Sequence, residues 1–227
     1  GLYSLCKAYN MGEKKAVYPY LCFVHEDVSF ESPDWGIRLI SFMEEHPEVG
    51  LLGVAGTKFK SSYPSAWGQS PGLQKYKRGH IFHPVGKERG ICQYVDFDYR
   101  SDPSEIDEVV LVDGVFMFTK KEVFQTCRFD EEMLDHFHGY DIDFSLQVFF
   151  QQYRVIVDRG ILLKHTSSGN YDRKNTIMNR RISRKWWSRL PVASRDLNLS
   201  YVKRKYLNLL NWQYFLIWAF KRKMGLK

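Results

Sequence analysis

The sequence predicts an α/β fold in which a mixed sheet is flanked by helices. Buried strands are indicated at 18–24 and 49–55, where short apolar runs are rich in β-forming residues. An amphipathic helix is indicated between them, at 35–46. Strand–helix–strand alternation is typical of parallel pairing, whereas the later runs at 91–97 and 109–118 favour antiparallel strands.

The remaining segments continue this layout. Residues 2–15 are predicted to form a helix, and 57–90 are predicted to form a loop or an irregular hairpin because they are rich in Gly, Ser, Pro and Lys. Downstream we expect a loop at 130–138, a helix at 140–151, strands at 154–157 and 161–164, and basic helices near 173–188 and 198–223. We therefore predict one catalytic domain over 1–170 and a basic, aromatic helical appendage over 171–227.

The composition is that of a folded protein with a hydrophobic core. Hydrophobic residues make up 44% of the 227 and aromatic residues 16%, which excludes a disordered, collagen-like or coiled-coil protein. No signal peptide is visible and no window of about 20 apolar residues exists, so we expect a cytoplasmic protein without a spanning helix. The cysteines lack CxxC spacing and are expected to be reduced and buried. They are Cys6, Cys22, Cys92 and Cys127.

Positive charge is concentrated in the C-terminal third. Net charge is +7, from 33 Lys and Arg against 26 Asp and Glu, and the balance is acidic between 96 and 143. This asymmetry favours an anionic partner such as a diphosphate, a membrane lipid or a nucleic acid. Aromatic and basic residues alternate near 180–189, but no nucleic-acid-binding motif is present, so we expect no nucleic acid.

Acidic and histidine residues follow the first predicted strand. His25 and Asp27 point the same way along an extended chain, and Glu26 points the other way. Ligands of open α/β sheets bind beyond the carboxyl ends of strands, where a carboxylate can hold a divalent ion on a diphosphate. The alternative is a solvated loop that caps a helix.

Two carboxylates and a late histidine are further candidates. Asp141 and Asp143 lie at the start of a predicted helix, where acidic residues also serve as caps. A carboxylate in a cleft can instead be the general base that deprotonates an acceptor hydroxyl. Two residues apart on a helix, the side chains diverge, so one could be the base while the other anchors the helix. His165 follows a strand and could be a metal ligand or a structural histidine.

In their order along the chain, these features resemble the glycosyltransferase family 2-like enzymes of the GT-A fold. Within these the chain is similar to the bacterial glycosyltransferase-like family, whose metal motif is His-x-Asp. The residues that carry the resemblance span about 4–170. They are Ala8-Tyr9-Asn10-Met11-Gly12, Phe23-Val24-His25-Glu26-Asp27-Val28, Gly53-Val54-Ala55-Gly56, Trp67, Val112-Asp113-Gly114-Val115-Phe116-Met117, Gly139-Tyr140-Asp141-Ile142-Asp143 and His165.

The resemblance implies roles for particular residues. Asp27, His25 and His165 would bind Mn²⁺ or Mg²⁺, and Asp141 would be the catalytic base. Tyr140 stands where the family 2 enzymes usually have Glu. Substrate contacts are expected at Asn10, Glu26, Trp67, Asp113, Gly114, Tyr140 and Asp143. The GT-A fold also implies a strand–helix–strand unit for the nucleotide, which we expect to be missing upstream of Leu2.

The resemblance also implies an activity. The expected reaction is an inverting, metal-dependent hexosyl transfer from a nucleoside-diphosphate-sugar to a glycan or lipid-linked hydroxyl, in polysaccharide biosynthesis. The alternative is an inactive GT-A-like module that binds a nucleotide or a glycan.

The C-terminal segment is apolar and ends in a basic cluster. Residues 207–220 are nearly all apolar but too few to span a bilayer, and they precede Lys221-Arg222-Lys223. One interpretation is a helix packed on the catalytic domain or in a homodimer interface. The other is peripheral contact of 198–227 with anionic lipid at the inner face of the membrane.

Overall fold

The computed structural model describes residues 2–68, 72–84, 92–96, 105–167 and 172–224. Within these ranges the α-helices are α1 (Leu5–Lys15), α2 (Trp35–Glu45), α3 (Tyr140–Phe150), α4 (Arg173–Lys185) and α5 (Tyr201–Lys223). The strands in the same ranges are β1 (Tyr20–Val24), β2 (Val28–Phe30), β3 (Val49–Gly53), β4 (Ala55–Thr57), β5 (Phe59–Lys60), β6 (Lys77–Pro84), β7 (Cys92–Asp96), β8 (Ile106–Val109), β9 (Leu111–Val112), β10 (Phe116–Lys120), β11 (Arg154–Asp158), β12 (Leu163–His165) and β13 (Val192–Ala193).

The central sheet is mixed, as the sequence predicted. Its five strands run in the order β1-β10-β3-β11-β8. Of these neighbours, β3 and β11 pair parallel, and the other pairs are antiparallel. The inserted antiparallel β10 places the carboxyl end of β1 beside the start of β10, so residues after β1 meet residues just before β10.

The second sheet has six strands. Its strands run β2-β12-β6-β4-β9, with β7 pairing β6, and a separate pair joins β5 and β13. β12 pairs antiparallel with β2 in a register that sets His165 opposite Val28. This register brings the end of β12 against the loop between β1 and β2.

The main core lies between the central sheet and the helices. Leu39 and Met43 of α2 and Phe144 of α3 are fully buried against strand residues such as Phe116. α4 contributes Met178 and Ile182 to the same core, whereas Leu207 of α5 packs in a smaller apolar cluster with Phe59 and Tyr76. The division at 170/171 into a catalytic domain and an appendage stays a prediction. No helix among the described residues is long and apolar enough to cross a bilayer.

Two predicted strands are divided between sheets. The run 49–55 splits into β3 of the central sheet and β4 of the second sheet, and 109–118 splits among β8, β9 and β10. A Cβ on Gly56 would lie 2.1 Å from the carbonyl oxygen of Leu111, so glycine is what permits the close β4–β9 pairing. An apolar run shows that strands are buried, but it does not show where the chain changes sheets.

One cysteine does not follow the expectation of buried thiols. Cys6 and Cys127 are buried, but Cys22 is exposed; all three are free. Side chains alternate along β1, so Leu21 and Phe23 face the core while Cys22 faces outward.

Gly139→Ala should destabilise the protein, because Gly139 precedes α3 with φ of +88° and an added Cβ would lie 2.6 Å from Ile182 Cδ1. We expect a loss of about 1–2 kcal/mol, since a side chain at positive φ is strained. Gly12→Ala is the control: it lies inside α1 with open space around it, and alanine should stabilise that helix by up to about 1 kcal/mol. Thermal unfolding measures both, and equal shifts would contradict the prediction.

Candidate functional site

Three predicted metal ligands lie together at the junction of the two sheets. His165 Nε2 is 3.2 Å from Asp27 Oδ1 and 3.3 Å from His25 Nδ1. Thr166, next to His165, donates its backbone amide and its hydroxyl to the carbonyl oxygen of Asp27, at 3.1 and 2.7 Å. These bonds extend the β2–β12 pairing and hold the end of β12, which carries His165, against the turn that carries Asp27.

The donor set of this group fits a divalent ion. One ligand atom from each of the three residues lies within 4.8 Å of the others. Two imidazole nitrogens and a carboxylate oxygen are common ligands of divalent transition metals. Burial acts to raise the pKa of Asp27, but Ser167 and the neighbouring histidines lower it on balance, so the carboxyl is ionised and able to bind a cation.

Tyr140 orients the imidazole of His25. The Tyr140 hydroxyl donates to the carbonyl oxygen of Gly114 at 3.0 Å and lies 2.8 Å from His25 Nε2. Burial raises the pKa of Tyr140 well above its ordinary value, so the hydroxyl stays protonated and can donate to Gly114. The tautomer in which His25 Nε2 donates to the Tyr140 oxygen leaves the lone pair of Nδ1 directed toward His165.

A pocket of about 110 Å³ opens beside the metal-ligand group. It is lined by His25, Ala66, Trp67, Asp113, Gly114, Phe137, His138, Gly139, Tyr140, Asp141, Ile142 and Asn175. His25 therefore belongs both to the metal-ligand group and to the pocket. The sequence-predicted residues that the structure brings together here are His25, Trp67, Asp113, Gly114, Tyr140 and Asp141.

One wall of the pocket is an indole fixed by a carboxylate. Trp67 Nε1 donates to Asp113 Oδ2 at 2.5 Å, and Asp113 Oδ1 accepts from the backbone amide of Val115 at 2.8 Å. The loop before Trp67 is held by buried Lys60, whose Nζ donates to the carbonyl oxygens of Tyr63 and Ser65 at 2.9 and 3.1 Å. The indole is thus held in one orientation from two sides.

The carboxyl of Asp141 lies at the N-terminal end of α3. Its Oδ2 accepts from the backbone amide of Gly114 at 3.3 Å. Burial, and to a lesser extent the charge of Asp113, raise its pKa from 3.8 to about 7. A carboxyl with this pKa can accept a proton near neutral pH.

Three predicted substrate contacts do not line the pocket. Asn10 is buried in α1 and donates from Nδ2 to the carbonyl oxygen of Phe129 at 2.8 Å. Glu26 is exposed and is not among the residues that line the pocket.

The third of these residues, Asp143, faces α4 from the buried side of α3. Its Oδ1 accepts from Trp186 Nε1 at 2.7 Å, and its Oδ2 accepts from Lys185 Nζ and Gln147 Nε2, both at 2.8 Å. Two residues after Asp141, the side chain leaves the helix in another direction and anchors α4.

Sequence reasoning missed several pocket residues. Phe137 and His138 lie in a segment that was predicted only to be a loop, and Asn175 lies in α4. His138 Nε2 is 3.4 Å from Oδ1 of Asp172, the N-cap of α4, and this contact brings the start of α4 to the pocket. The run of acidic and aromatic residues before α3 was the one available signal.

Most of the chain matches one known family. Residues 2–183 match the Glycosyltransferase like family, so the protein belongs to that family and the resemblance found in the sequence is confirmed. The match extends into α4, which contributes Asn175 to the pocket. No match was found among curated proteins.

The fold is that of GT-A glycosyltransferases. The chain is similar to GalNAc-T7 in a crystal structure of that protein with UDP, GalNAc and Mn²⁺, with a TM-score of 0.56 and 12% identity. The match covers 82% of this chain and 36% of that chain. At this identity the likeness shows the fold, and it confirms the predicted fold class.

The raised pKa of Asp141 should make stability depend on pH. Between about pH 4 and pH 7 the folded protein keeps a proton on Asp141 that the unfolded chain has released. The resulting stabilisation is complete below pH 4 and is lost as the pH rises through 7. Asp141→Asn should therefore unfold at a higher temperature than the wild type at pH 8, and the difference should shrink toward pH 4.

Asp135→Asn, at a carboxyl paired with Arg181 on the surface, is the control. A difference independent of pH would contradict the prediction.

Binding of Mn²⁺ should depend on the group of His25, Asp27 and His165. We expect the intact chain to bind Mn²⁺, and His165→Ala to weaken binding by at least about 100-fold, because losing a ligand costs more than losing the partner that orients it. Calorimetry measures both affinities. Tyr140→Phe keeps the three ligands but removes the partner of His25, which should cost about 10–100-fold. His46→Ala is the control, because His46 pairs with Glu48 at the surface. Equal affinity in the wild type and in His165→Ala would remove the metal assignment.

Proposed function

We propose that the protein transfers a sugar from a nucleoside-diphosphate-sugar to an acceptor hydroxyl, with a divalent ion and with inversion at the anomeric carbon. The observation that carries this proposal is a shared pocket. His25 of the metal-ligand group and the carboxyl of Asp141 line the same cavity, although 116 positions separate them along the chain. A cation for a departing diphosphate and a base for an attacking hydroxyl are the two groups that such a transfer needs.

The donor is a nucleoside-diphosphate-sugar. Family membership supports a sugar donor, and the similar fold of GalNAc-T7, which was crystallised with UDP and Mn²⁺, supports a nucleotide and a metal. The nitrogen-rich ligand set of His25, His165 and Asp27 favours Mn²⁺ over Mg²⁺, since Mg²⁺ prefers oxygen ligands. When bound, the ion supplies positive charge against the negative charge that develops on the leaving diphosphate.

Asp141 is the general base. Its carboxylate takes the proton from the acceptor hydroxyl as the hydroxyl oxygen attacks the anomeric carbon. The amide of Gly114 holds Oδ2 and fixes the direction of the carboxylate. Because the base acts on the acceptor itself, one displacement suffices and the configuration inverts.

The aromatic residues of the pocket position the sugar. Trp67 is held by Asp113, and Phe137 is exposed at the pocket edge, so both offer ring surface to the apolar face of a hexose. Asn175, from α4, adds a polar side chain to the same wall. We infer that the acceptor is a glycan or a lipid-linked sugar, whose hydroxyl must approach Asp141 past these residues.

Asp141→Asn should lower turnover by about 10²–10⁴-fold, which is the usual contribution of general base catalysis. The wild-type rate should rise with pH through about 7, since the base must be ionised. The assay is the release of nucleoside diphosphate from a panel of nucleotide-sugars with Mn²⁺ and acceptor sugars. Asp135→Asn serves as the control, because that carboxyl is exposed and does not line the pocket.

Two outcomes would contradict the proposal. Unchanged turnover in Asp141→Asn would remove the assignment of the base. Binding of UDP and Mn²⁺ by the intact chain, with neither hydrolysis nor transfer for any donor, would indicate a nucleotide-binding module instead of an enzyme.

A further inference from the structure

Helix α5 packs on the protein along one face. Leu207 is buried in the small apolar cluster, and Asn211 is buried beside it. Asn208 Oδ1 accepts from the backbone amide of Ser62 at 2.8 Å, and the Ser61 hydroxyl donates to Asn211 Oδ1 at 2.6 Å. These contacts recur every three or four residues, which is the spacing of one side of a helix.

The opposite face of α5 is also apolar. At about 100° per residue, six apolar side chains fall within an arc of about 100° on the side away from Leu207 and Asn211. Each of the six is more than half exposed: Val202, Tyr206, Leu209, Leu216, Ile217 and Phe220. Gln213 is the one polar residue in the same arc. This outer face, defined by the six residues, is an apolar strip over about five turns of helix, interrupted by Gln213.

Positive charge borders the outer face. Lys203 and Lys205 fall at its two edges by the same helical spacing. The sequence places Lys221-Arg222-Lys223 at the far end of the helix, and the 23 residues of α5 include no Asp or Glu. An apolar strip with lysines along its edges is the pattern of a helix that lies in a membrane interface.

We propose that α5 lies on an anionic membrane surface through its outer face and so holds the protein at that surface. The positive charge of the helix favours an anionic membrane over a second copy of the chain as the partner. Two α5 helices packed face to face would bring together two strongly basic helices without an acidic residue, whereas anionic headgroups neutralise the same lysines.

The inner contacts of α5 connect this surface to the pocket. The ring of Phe215 stacks on Tyr63 with centroids 3.7 Å apart, and the Trp212 indole donates to the Ser62 hydroxyl at 2.9 Å. The loop that α5 holds in this way continues into Ala66 and Trp67 of the pocket wall. When α5 is bound to a membrane, these contacts therefore hold the pocket close to the membrane surface.

The test is co-sedimentation of the full chain with vesicles of phosphatidylglycerol and phosphatidylcholine, and with vesicles of phosphatidylcholine alone. We expect binding to the anionic vesicles that weakens as salt is added. The triple variant Leu216→Gln, Ile217→Gln and Phe220→Gln should bind at least about tenfold more weakly, because it removes apolar surface and no inner contact. The variant Val17→Gln with Ile37→Gln is the matched control, since both side chains are exposed outside α5.

A second variant tests the charge independently of the apolar strip. Lys203→Gln with Lys205→Gln should weaken binding to anionic vesicles about thirtyfold, and should hardly change binding to phosphatidylcholine. Thermal unfolding checks that each variant is folded; the lysine variant changes exposed residues and keeps the test valid if the triple variant fails to fold.

Three results would overturn the inference. The first is no binding of the intact chain to anionic vesicles, and the second is equal binding by the wild type and the triple variant. The third is a concentration-dependent dimer that is lost only in the triple variant. The last result, measured by analytical ultracentrifugation, would assign the outer face to a second copy. Vesicle binding is measured without turnover, so this inference and the proposed sugar transfer can fail separately.

Discussion

The antiparallel pairing of β2 with β12 is the constraint on which the site depends. It joins segments about 140 residues apart, and its register carries His165 to Asp27, where Thr166 adds two further hydrogen bonds. Without this pairing, the carboxylate of Asp27 and the imidazole of His165 would not be held next to each other. A metal-ligand group needs its atoms placed within a few tenths of an ångström, and backbone pairing supplies that precision better than flexible loops do.

The electrostatics of α3 separate two aspartates that look alike in the sequence. Asp143 pairs with Lys185 and accepts a hydrogen bond from Trp186, so it joins α3 to α4. Asp141 has no basic partner among the contacts described, and burial beside Asp113 raises its pKa to about 7. The same residue type thus anchors a helix in one place and has a raised pKa in the other, because the surrounding charge differs.

The two C-terminal helices contact the pocket region in different ways. α4 enters the main core and places Asn175 on the pocket wall. α5 holds the loop before Trp67 with one face and exposes a second apolar face. If α5 binds a membrane as proposed, a short stretch of chain connects the lipid surface to the sugar pocket, and an acceptor carried by lipid would need no long diffusion to reach it.

The sequence by itself determined the α/β class, the His-x-Asp motif after β1, the family and the candidate base, since these depend on local pattern and residue type. Tertiary structure decided which candidates meet. It brought His25, Trp67 and Asp141 to one pocket, left Asn10 and Glu26 outside it, and added Phe137 and Asn175. Local patterns do not contain this information, because a contact between residues distant along the chain depends on strand register and helix packing, and a pKa depends on every charge that folding brings near.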